Sequence, residues 1–287
     1  MNVTSTDTTR GLRLAVYAIL IGTVVAVTAG RIMAVRSADR RTPFLSANDR
    51  SRWCTIRALV DHGTFAIDDV RVIRGWDSID RVAHTGRDGE MHFYSSKPPL
   101  LPTMLAGQYW CLRQLSGASL RDSPFYIVRV MLILTNVVPM ALFFALVASF
   151  AEKWGKTDVG RIFVVACATW GTFLTTFSIT INNHLPAAIS VMIALWTWMR
   201  TWSSRNESQE RRPSALDFSI VGLFAAFAAA NELPALAFLV LIGAELFSRQ
   251  PRLTLVAFVP AALLVIVAFF TTNYIAHESW LPPYAHR

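Results

Sequence analysis

Four polar segments of the chain carry side chains that could handle an anionic substrate. They are Asn48-Asp49, Ser96-Lys97, Asn183-His184 and Asn231-Glu232. The last two lie in very short connections between apolar runs, and each is followed by Leu-Pro. Because charge within a membrane is costly and is often functional, an acid and a histidine in such turns indicate a site. A carboxylate, an ammonium, an imidazole and a second carboxylate at one membrane face would suit an anionic substrate carried by a lipid.

The composition predicts a polytopic membrane protein. The 287 residues are 53% hydrophobic and only 16% charged, whereas roughly a quarter of an average soluble domain is charged. Outside residues 36–121 the chain contains long apolar runs, and about 17–25 apolar residues span a bilayer as a helix. A soluble globular enzyme, a disordered chain and a fibrous repeat are therefore excluded. The net charge of +8 does not indicate a nucleic-acid partner, since the basic residues form no stripe among aromatics.

Seven apolar runs predict an all-α polytopic membrane protein with about seven transmembrane helices. The first helix is expected at 14–35, after a cytoplasmic N-terminus at 1–13, and six further segments lie within 125–275. The six runs are Phe125–Phe150, Ile162–Ile181, Leu185–Trp202, Leu216–Ala230, Leu233–Phe247 and Leu253–Ile275. The two runs that meet at 231–234 are short, so one broken helix is the alternative to two full ones there.

Lys and Arg residues in short connections predict the orientation, because positive charge favours the cytoplasmic side. With a cytoplasmic N-terminus, that side collects Arg10, Arg13, Lys153, Lys156, Arg161, Arg200, Arg205, Arg211, Arg212, Arg249 and Arg252. The turns at 182–184 and 231–232 carry no Lys or Arg. An integral membrane protein is expected, with the large loop at 36–124 and the tail at 276–287 outside. The short tail leaves a truncated chain open.

The large outer loop is predicted to fold. A helix is expected over 46–60, where Ser46 can act as the cap and apolar residues share one face. Two short segments flank Gly86-Arg-Asp-Gly89 and predict a small hairpin. Pro98-Pro99 opens a second helix whose aromatic flank suits the membrane interface. Two interfacial helices with a hairpin between them would cover the spans.

The four polar segments resemble motifs of the GT-C integral-membrane glycosyltransferases, most closely the lipid A aminoarabinose transferases and the protein mannosyltransferases. Asn48-Asp49-Arg50-Ser-Arg-Trp53 resembles their first-loop acidic motif. Tyr94-Ser-Ser-Lys97-Pro-Pro-Leu-Leu101 resembles the aromatic-x-x-Lys-Pro segment of the same loop. The segments 182–188 and 230–234 resemble polar tips that interrupt later helices. The resemblance extends over 14–275, nearly the whole chain.

This resemblance implies transfer of a sugar from a polyprenyl phosphate to a glycan, lipid or protein acceptor at the outer membrane face, with inversion. By position, Asp49 would be the general base that removes the proton of the acceptor hydroxyl. Lys97 would neutralise the phosphate leaving group. His184 and Glu232 would bind the sugar or orient other groups.

The resemblance also implies that Arg50 and Arg52 add phosphate contacts. The family often has a second acid directly after the first, where this chain has Arg50. It often has Glu before the lysine, where this chain has Ser96. These departures leave the need for a divalent metal open; no metal ligand is assigned and no cofactor is certain.

Each assigned residue also has an ordinary structural explanation. Asp49 could simply cap its helix, and Lys97 could be an interfacial lysine that extends toward water. His184 and Glu232 could be turn residues that bind backbone groups at helix ends.

Two other functions stay open from the sequence. A transporter or flippase of a lipid-linked or anionic substrate is indicated by the broken-helix pattern at 231–234, although the two halves of the chain show no convincing similarity. A non-catalytic truncated relative of the glycosyltransferases is the third interpretation.

Overall fold

The computed structural model of the chain describes residues 3–203, 213–281 and 283. Arg205, Arg211 and Arg212 of the predicted cytoplasmic side, and residues 284–287 of the predicted tail, lie outside the described residues. The described residues are mostly helical and include one two-stranded sheet.

The first helix, α1 (Val3–Ala34), begins well before the predicted boundary at residue 14. Next to the predicted boundary, Arg13 fastens α1 to the bundle. Its Nη2 lies 2.9 Å from Oε2 of Glu152, and its Nη1 lies 2.7 Å from Oδ1 of Asp158. The hydroxyl of Tyr17 donates to the same Glu152 carboxylate at 2.9 Å.

The outer loop contains three helices and a hairpin. These are α2 (Ala47–Asp61), α3 (Asp68–Arg71), β1 (Arg81–Thr85), β2 (Met91–Ser95) and α4 (Leu100–Ser116). The strands are antiparallel, with Arg81 opposite Ser95. The Ser46 hydroxyl caps α2 by accepting the N–H of Asp49 at 3.1 Å.

A buried apolar cluster attaches the outer loop to the bundle. It includes Trp53, Cys54 and Ile56 of α2, Leu105 and Tyr109 of α4, and Ile32 at the end of α1. Removal of these side chains from water is the main force that holds the loop in place. The loop is therefore a folded layer on one end of the helices.

Nine further helices form the bundle within the described residues. They are α5 (Pro124–Leu132), α6 (Val138–Trp154), α7 (Asp158–Trp170), α8 (Leu174–Phe177), α9 (His184–Ser203), α10 (Ala215–Asn231), α11 (Ala235–Arg249), α12 (Pro251–Leu253) and α13 (Val259–His277). A π-helical turn at Ile133–Val137 joins α5 to α6, and another at Thr254–Phe258 joins α12 to α13.

The chain is a membrane protein by the length and apolarity of its helices. Within the described residues, four helical stretches are long and apolar enough to cross a bilayer: Thr9–Ala34, Pro124–Trp154, Asp158–Phe177 and Pro251–His277. Large apolar side chains on their outer faces are exposed, as lipid contact requires. The count of seven spans and the orientation stay predictions.

Two details of the bundle bear on the predictions from the sequence. One differs from its prediction, and the other decides between two alternatives. The run predicted over Ile162–Ile181 ends as a helix at Phe177, and residues 178–183 form a non-helical segment. The sequence at 231–234 forms a turn between two separate helices, since α10 and α11 pack on each other through Phe218 and Leu246. One long broken helix is therefore not formed there.

Cysteine labelling can test on which side of the membrane each end of the bundle lies. Arg13 lies beside the α6–α7 turn and Ile32 lies in the loop cluster, so α1 separates them by about 30 Å. Because the N-terminus is predicted to be cytoplasmic, we expect Glu90→Cys in the hairpin to react with an impermeant maleimide in intact cells. Lys156→Cys should react only after permeabilisation; the reverse pattern would invert the predicted orientation.

These labelling experiments need a background protein without exposed native thiols. All three cysteines are free, and Cys111 and Cys167 are exposed while Cys54 is buried. Replacing the two exposed cysteines with Ser removes their reaction, and that parent protein serves as the unlabelled control.

Candidate functional site

The outer loop and the bundle enclose a cavity of about 700 Å³. Its polar lining comes from the start of α2, the connection between β2 and α4, and the turns at 182–184 and 231–232. Its apolar lining comes from α10, α11 and α13, including Leu236, Phe269 and Phe270. The cavity therefore offers charged and amide groups next to a hydrocarbon-like surface.

Four of the six residues assigned by resemblance line this cavity. They are Arg52, Lys97, His184 and Glu232. They come from four elements that are far apart in the sequence, so only the tertiary fold brings them together. Asp49 and Arg50 are not among the lining residues.

Arg52 connects α2 to both polar turns. Its Nη2 donates to the side-chain oxygen of Asn183 at 2.9 Å, and its Nη1 donates to the carbonyl of Ile181 at 3.4 Å. The Asn183 amide in turn donates to the carbonyl of Asn231 at 3.1 Å. The side chain is 5% exposed, and this burial lowers the pKa of Arg52, while the nearby Asp49 carboxylate opposes the shift. An arginine normally stays charged in proteins, so a cation lies at the cavity wall.

Lys97 reaches the cavity with a carboxylate partner that the sequence analysis missed. Its Nζ lies 3.2 Å from Oδ2 of Asp80. The Ser96 hydroxyl donates to the other oxygen of Asp80, and the Ser51 hydroxyl donates to the Asp80 carbonyl at 2.6 Å. The motif that this segment resembles often has Glu before the lysine, and here a carboxylate reaches the lysine from the loop before β1 instead. The only signal in the sequence was the missing acid at Ser96.

His184 and Glu232 are within hydrogen-bond distance of each other across the two turns. The Nδ1 of His184 lies 2.7 Å from Oε1 of Glu232. His184 begins α9 and Glu232 follows the last residue of α10. The imidazole also packs on the ring of Phe177, with 4.6 Å between centroids. Its side chain is 54% exposed, so it is accessible from the cavity.

Asp49 is sequestered, contrary to the access that a general base requires. It is 1% exposed. Its Oδ1 accepts the N–H of Ile181 and the indole N–H of Trp53, both at 3.0 Å, and its Oδ2 accepts the N–H of Leu45 at 3.3 Å. Burial raises the pKa of Asp49 to about 6, against the effect of these donors. In this arrangement Asp49 joins elements together and does not meet a hydroxyl in the cavity.

Arg50 also departs from its assigned role. Its Nη1 donates to the carbonyl of Asp77 at 2.7 Å. Because helical residues two apart are rotated by about 200°, Arg50 and Arg52 face nearly opposite directions from α2. The phosphate contact assigned to Arg50 is therefore not available in this arrangement.

Asn136 is a second residue that the sequence analysis missed, and it holds the non-helical segment at 178–183 in place. It lies in the π-helical turn between α5 and α6, is buried, and donates through Nδ2 to the carbonyls of Ser178 and Thr180 at 2.9 Å each. These bonds hold the non-helical segment that carries Ile181 and Asn183. A lone amide within a long apolar run was the signal that could have identified it.

Within the described part of the chain, no group of three or more His, Cys, Asp and Glu side chains is placed to hold a metal ion. Comparisons with protein-family models, with curated proteins and with solved structures find no match for this chain. The chemistry of the cavity therefore has to be inferred from its own residues.

The buried Asp49 predicts a pH dependence of stability. Its pKa of about 6 in the folded chain exceeds the value of about 3.9 of an unfolded aspartate, so the folded state binds more protons between these values. Stability from this group is therefore greatest at low pH and falls as the pH rises. Between pH 5 and pH 7 we expect a loss of about 1 kcal/mol in the free energy of unfolding.

Unfolding in detergent micelles at both pH values measures this loss. Asp49→Asn should abolish it, whereas Asp69→Asn, at an exposed position of α3, should leave it intact. A pH dependence that persists unchanged in Asp49→Asn would contradict the sequestered carboxylate.

Proposed function

We propose that the chain is a membrane glycosyltransferase. It moves a sugar from a polyprenyl phosphate to a glycan, lipid or protein acceptor at the outer face of the membrane, and it inverts the anomeric centre. The observation that carries this proposal is the cavity in which Arg52, Lys97 and the His184–Glu232 pair meet an apolar wall. A polyprenyl-phosphate sugar has three parts with matching chemistry: an anion, a polyol and a hydrocarbon chain.

The phosphate is assigned to Arg52 and Lys97. Arginine binds phosphate through its planar donors and lysine binds it as a compact charge. Lys97 is paired with Asp80 at 3.2 Å before substrate enters, so the phosphate replaces a carboxylate as its partner. Such an exchange keeps the lysine paired in a partly buried site, where an unpaired charge would be costly.

The hydrocarbon chain is assigned to the apolar lining. Leu236 of α11 and Phe269 and Phe270 of α13 line the cavity, and α13 belongs to one of the four stretches able to cross a bilayer. A prenyl chain in contact with these side chains would stay in an apolar environment while its phosphate reached the cations.

The sugar is assigned to the polar turns, where His184 and Glu232 line the cavity. The amides of Asn182, Asn183 and Asn231 already donate to backbone carbonyls and shape this wall.

Transfer itself is tested with a labelled sugar on polyprenyl phosphate, supplied to membranes that contain the chain. We expect label to appear on an endogenous glycan, lipid or protein acceptor. If the labelled lipid instead crosses the bilayer intact and no acceptor is labelled, the chain is a transporter and the proposed transfer is wrong.

The phosphate assignment predicts the effect of Lys97→Ala on binding. Hydrogen bonds to charged groups contribute about 1.5–3 kcal/mol, so the Kd for polyprenyl phosphate should rise about tenfold to a hundredfold. Titration of the purified protein in nanodiscs with polyprenyl phosphate measures the Kd. Lys156→Ala, at an exposed lysine in the α6–α7 turn, is the matched control and should not change it. An unchanged Kd in Lys97→Ala would remove the lysine from the phosphate site.

A further inference from the structure

Transfer to a hydroxyl needs a group that removes its proton, and the sequestered Asp49 does not reach the cavity. We propose that His184 is the general base of this reaction and that Glu232 positions it. The inference rests on the proposed transferase function and adds the group that accepts the proton. It replaces the assignment that resemblance gave to Asp49.

The accessible ionisable groups of the cavity favour His184 by elimination. Among the described lining residues these groups are Arg52, Lys97, His184 and Glu232. The two cations have no lone pair to accept a proton. The Glu232 carboxylate is 30% exposed and already faces Nδ1 of His184, whereas the imidazole is 54% exposed. Imidazole is also the side chain that most often serves as a general base near neutral pH.

The contact with Glu232 selects the tautomer that a base requires. With 2.7 Å between Nδ1 of His184 and Oε1 of Glu232, Nδ1 carries the proton and donates to the carboxylate. The lone pair then resides on Nε2, which is the arrangement that a carboxylate gives a histidine base in other enzymes. Phe177 packs on the ring at 4.6 Å and restricts its rotation.

His184 also lies next to the proposed phosphate site. It follows Asn183 in the chain, and the Asn183 side chain accepts a hydrogen bond from Arg52 at 2.9 Å. A sugar whose phosphate contacts Arg52 and Lys97 is therefore held beside the imidazole. The other charged side chains that line the same cavity are Glu232 after α10, Arg52 of α2 and Lys97, whose partner Asp80 comes from the outer loop.

The transfer step is balanced in atoms and electrons. Nε2 of His184 takes the proton of the acceptor hydroxyl, and the oxygen forms a bond to the anomeric carbon. The bond between that carbon and the phosphate oxygen breaks, and its electron pair leaves with the polyprenyl phosphate. Lys97 and Arg52 stabilise the charge on the leaving phosphate, and the imidazolium later returns its proton to water.

The test compares His184→Gln with wild type in two assays on the purified full chain: sugar transfer at saturating donor, and binding of polyprenyl phosphate. We expect transfer to fall about 10²- to 10⁴-fold, while the Kd changes by less than about threefold. His184→Gly should regain part of its rate with added imidazole, which a structural role would not allow. His62→Gln, at an exposed histidine that ends α2, is the matched control and should keep the wild-type rate.

The role of Glu232 is tested by separating rate from binding. Glu232→Gln, which loses the carboxylate that orients Nδ1 of His184, should lower kcat while the Kd for polyprenyl phosphate changes by less than about threefold, and Glu232→Asp should regain part of the rate. A side chain that only supports the fold would change kcat and Kd together.

The possible failures are distinguishable. If wild type transfers sugar and folded His184→Gln transfers it equally fast, the general base is elsewhere and the transferase function stands. If folded Asp49→Asn loses transfer while His184→Gln keeps it, the base is Asp49. If wild type binds the lipid phosphate but transfers nothing, the proposed function is wrong and His184 has no reaction to catalyse.

Discussion

The site depends on one junction, where the start of α2 binds the non-helical segment at 178–183. There the Asp49 carboxylate accepts the N–H of Ile181, and Arg52 donates to the Ile181 carbonyl and to the Asn183 side chain. A buried carboxylate without donors would cost more than the roughly 2–7 kcal/mol of an unsatisfied neutral polar group. The Ile181 N–H is the donor that the bundle supplies to it, so this bond favours the position in which the outer loop rests on the bundle. That position creates the cavity.

The cavity combines two chemistries because it forms between two kinds of structure. The turns at 182–184 and 231–232 contribute amides and charges, since helix ends need polar partners. The helices α10, α11 and α13 contribute apolar side chains. Its polar groups already have partners, since Lys97 pairs with Asp80, His184 contacts Glu232, and Arg52 donates to the Asn183 side chain. The proposed phosphate would replace Asp80 as the partner of Lys97, so its binding would require that ion pair to rearrange.

Local patterns in the sequence predicted much of the architecture. A helix was expected at 46–60 and α2 covers Ala47–Asp61, because the Ser46 cap and the apolar face are properties of neighbouring residues. The polar turns were visible for the same reason, as interruptions of apolar runs. Local patterns do not fix the number of spans. The helices α10 and α11 have 17 and 15 residues, and their length alone does not show whether they cross a bilayer.

The site was less predictable because its contacts are long-range. Asp80 and Lys97 come together only because the hairpin between them reverses the chain. No rule of sequence spacing predicts that contact. The motif around Asp49 had the residue types of a catalytic segment. Residue types alone, however, cannot show that three N–H groups surround the Asp49 carboxylate. Asn136 was missed for the same reason, because its isolated position in an apolar run does not show which carbonyls it binds.

The occupancy of the cavity by a lipid phosphate is the central claim, and photo-crosslinking tests it directly. A polyprenyl phosphate with a photoreactive group on its first prenyl units is incubated with the full chain in nanodiscs, and the labelled residues are mapped by mass spectrometry. We expect adducts on the cavity walls, at Leu236, Phe269 and Phe270, and competition by unlabelled polyprenyl phosphate. Adducts confined to the outer face of α7, for example at Phe163, with no competition, would contradict the account.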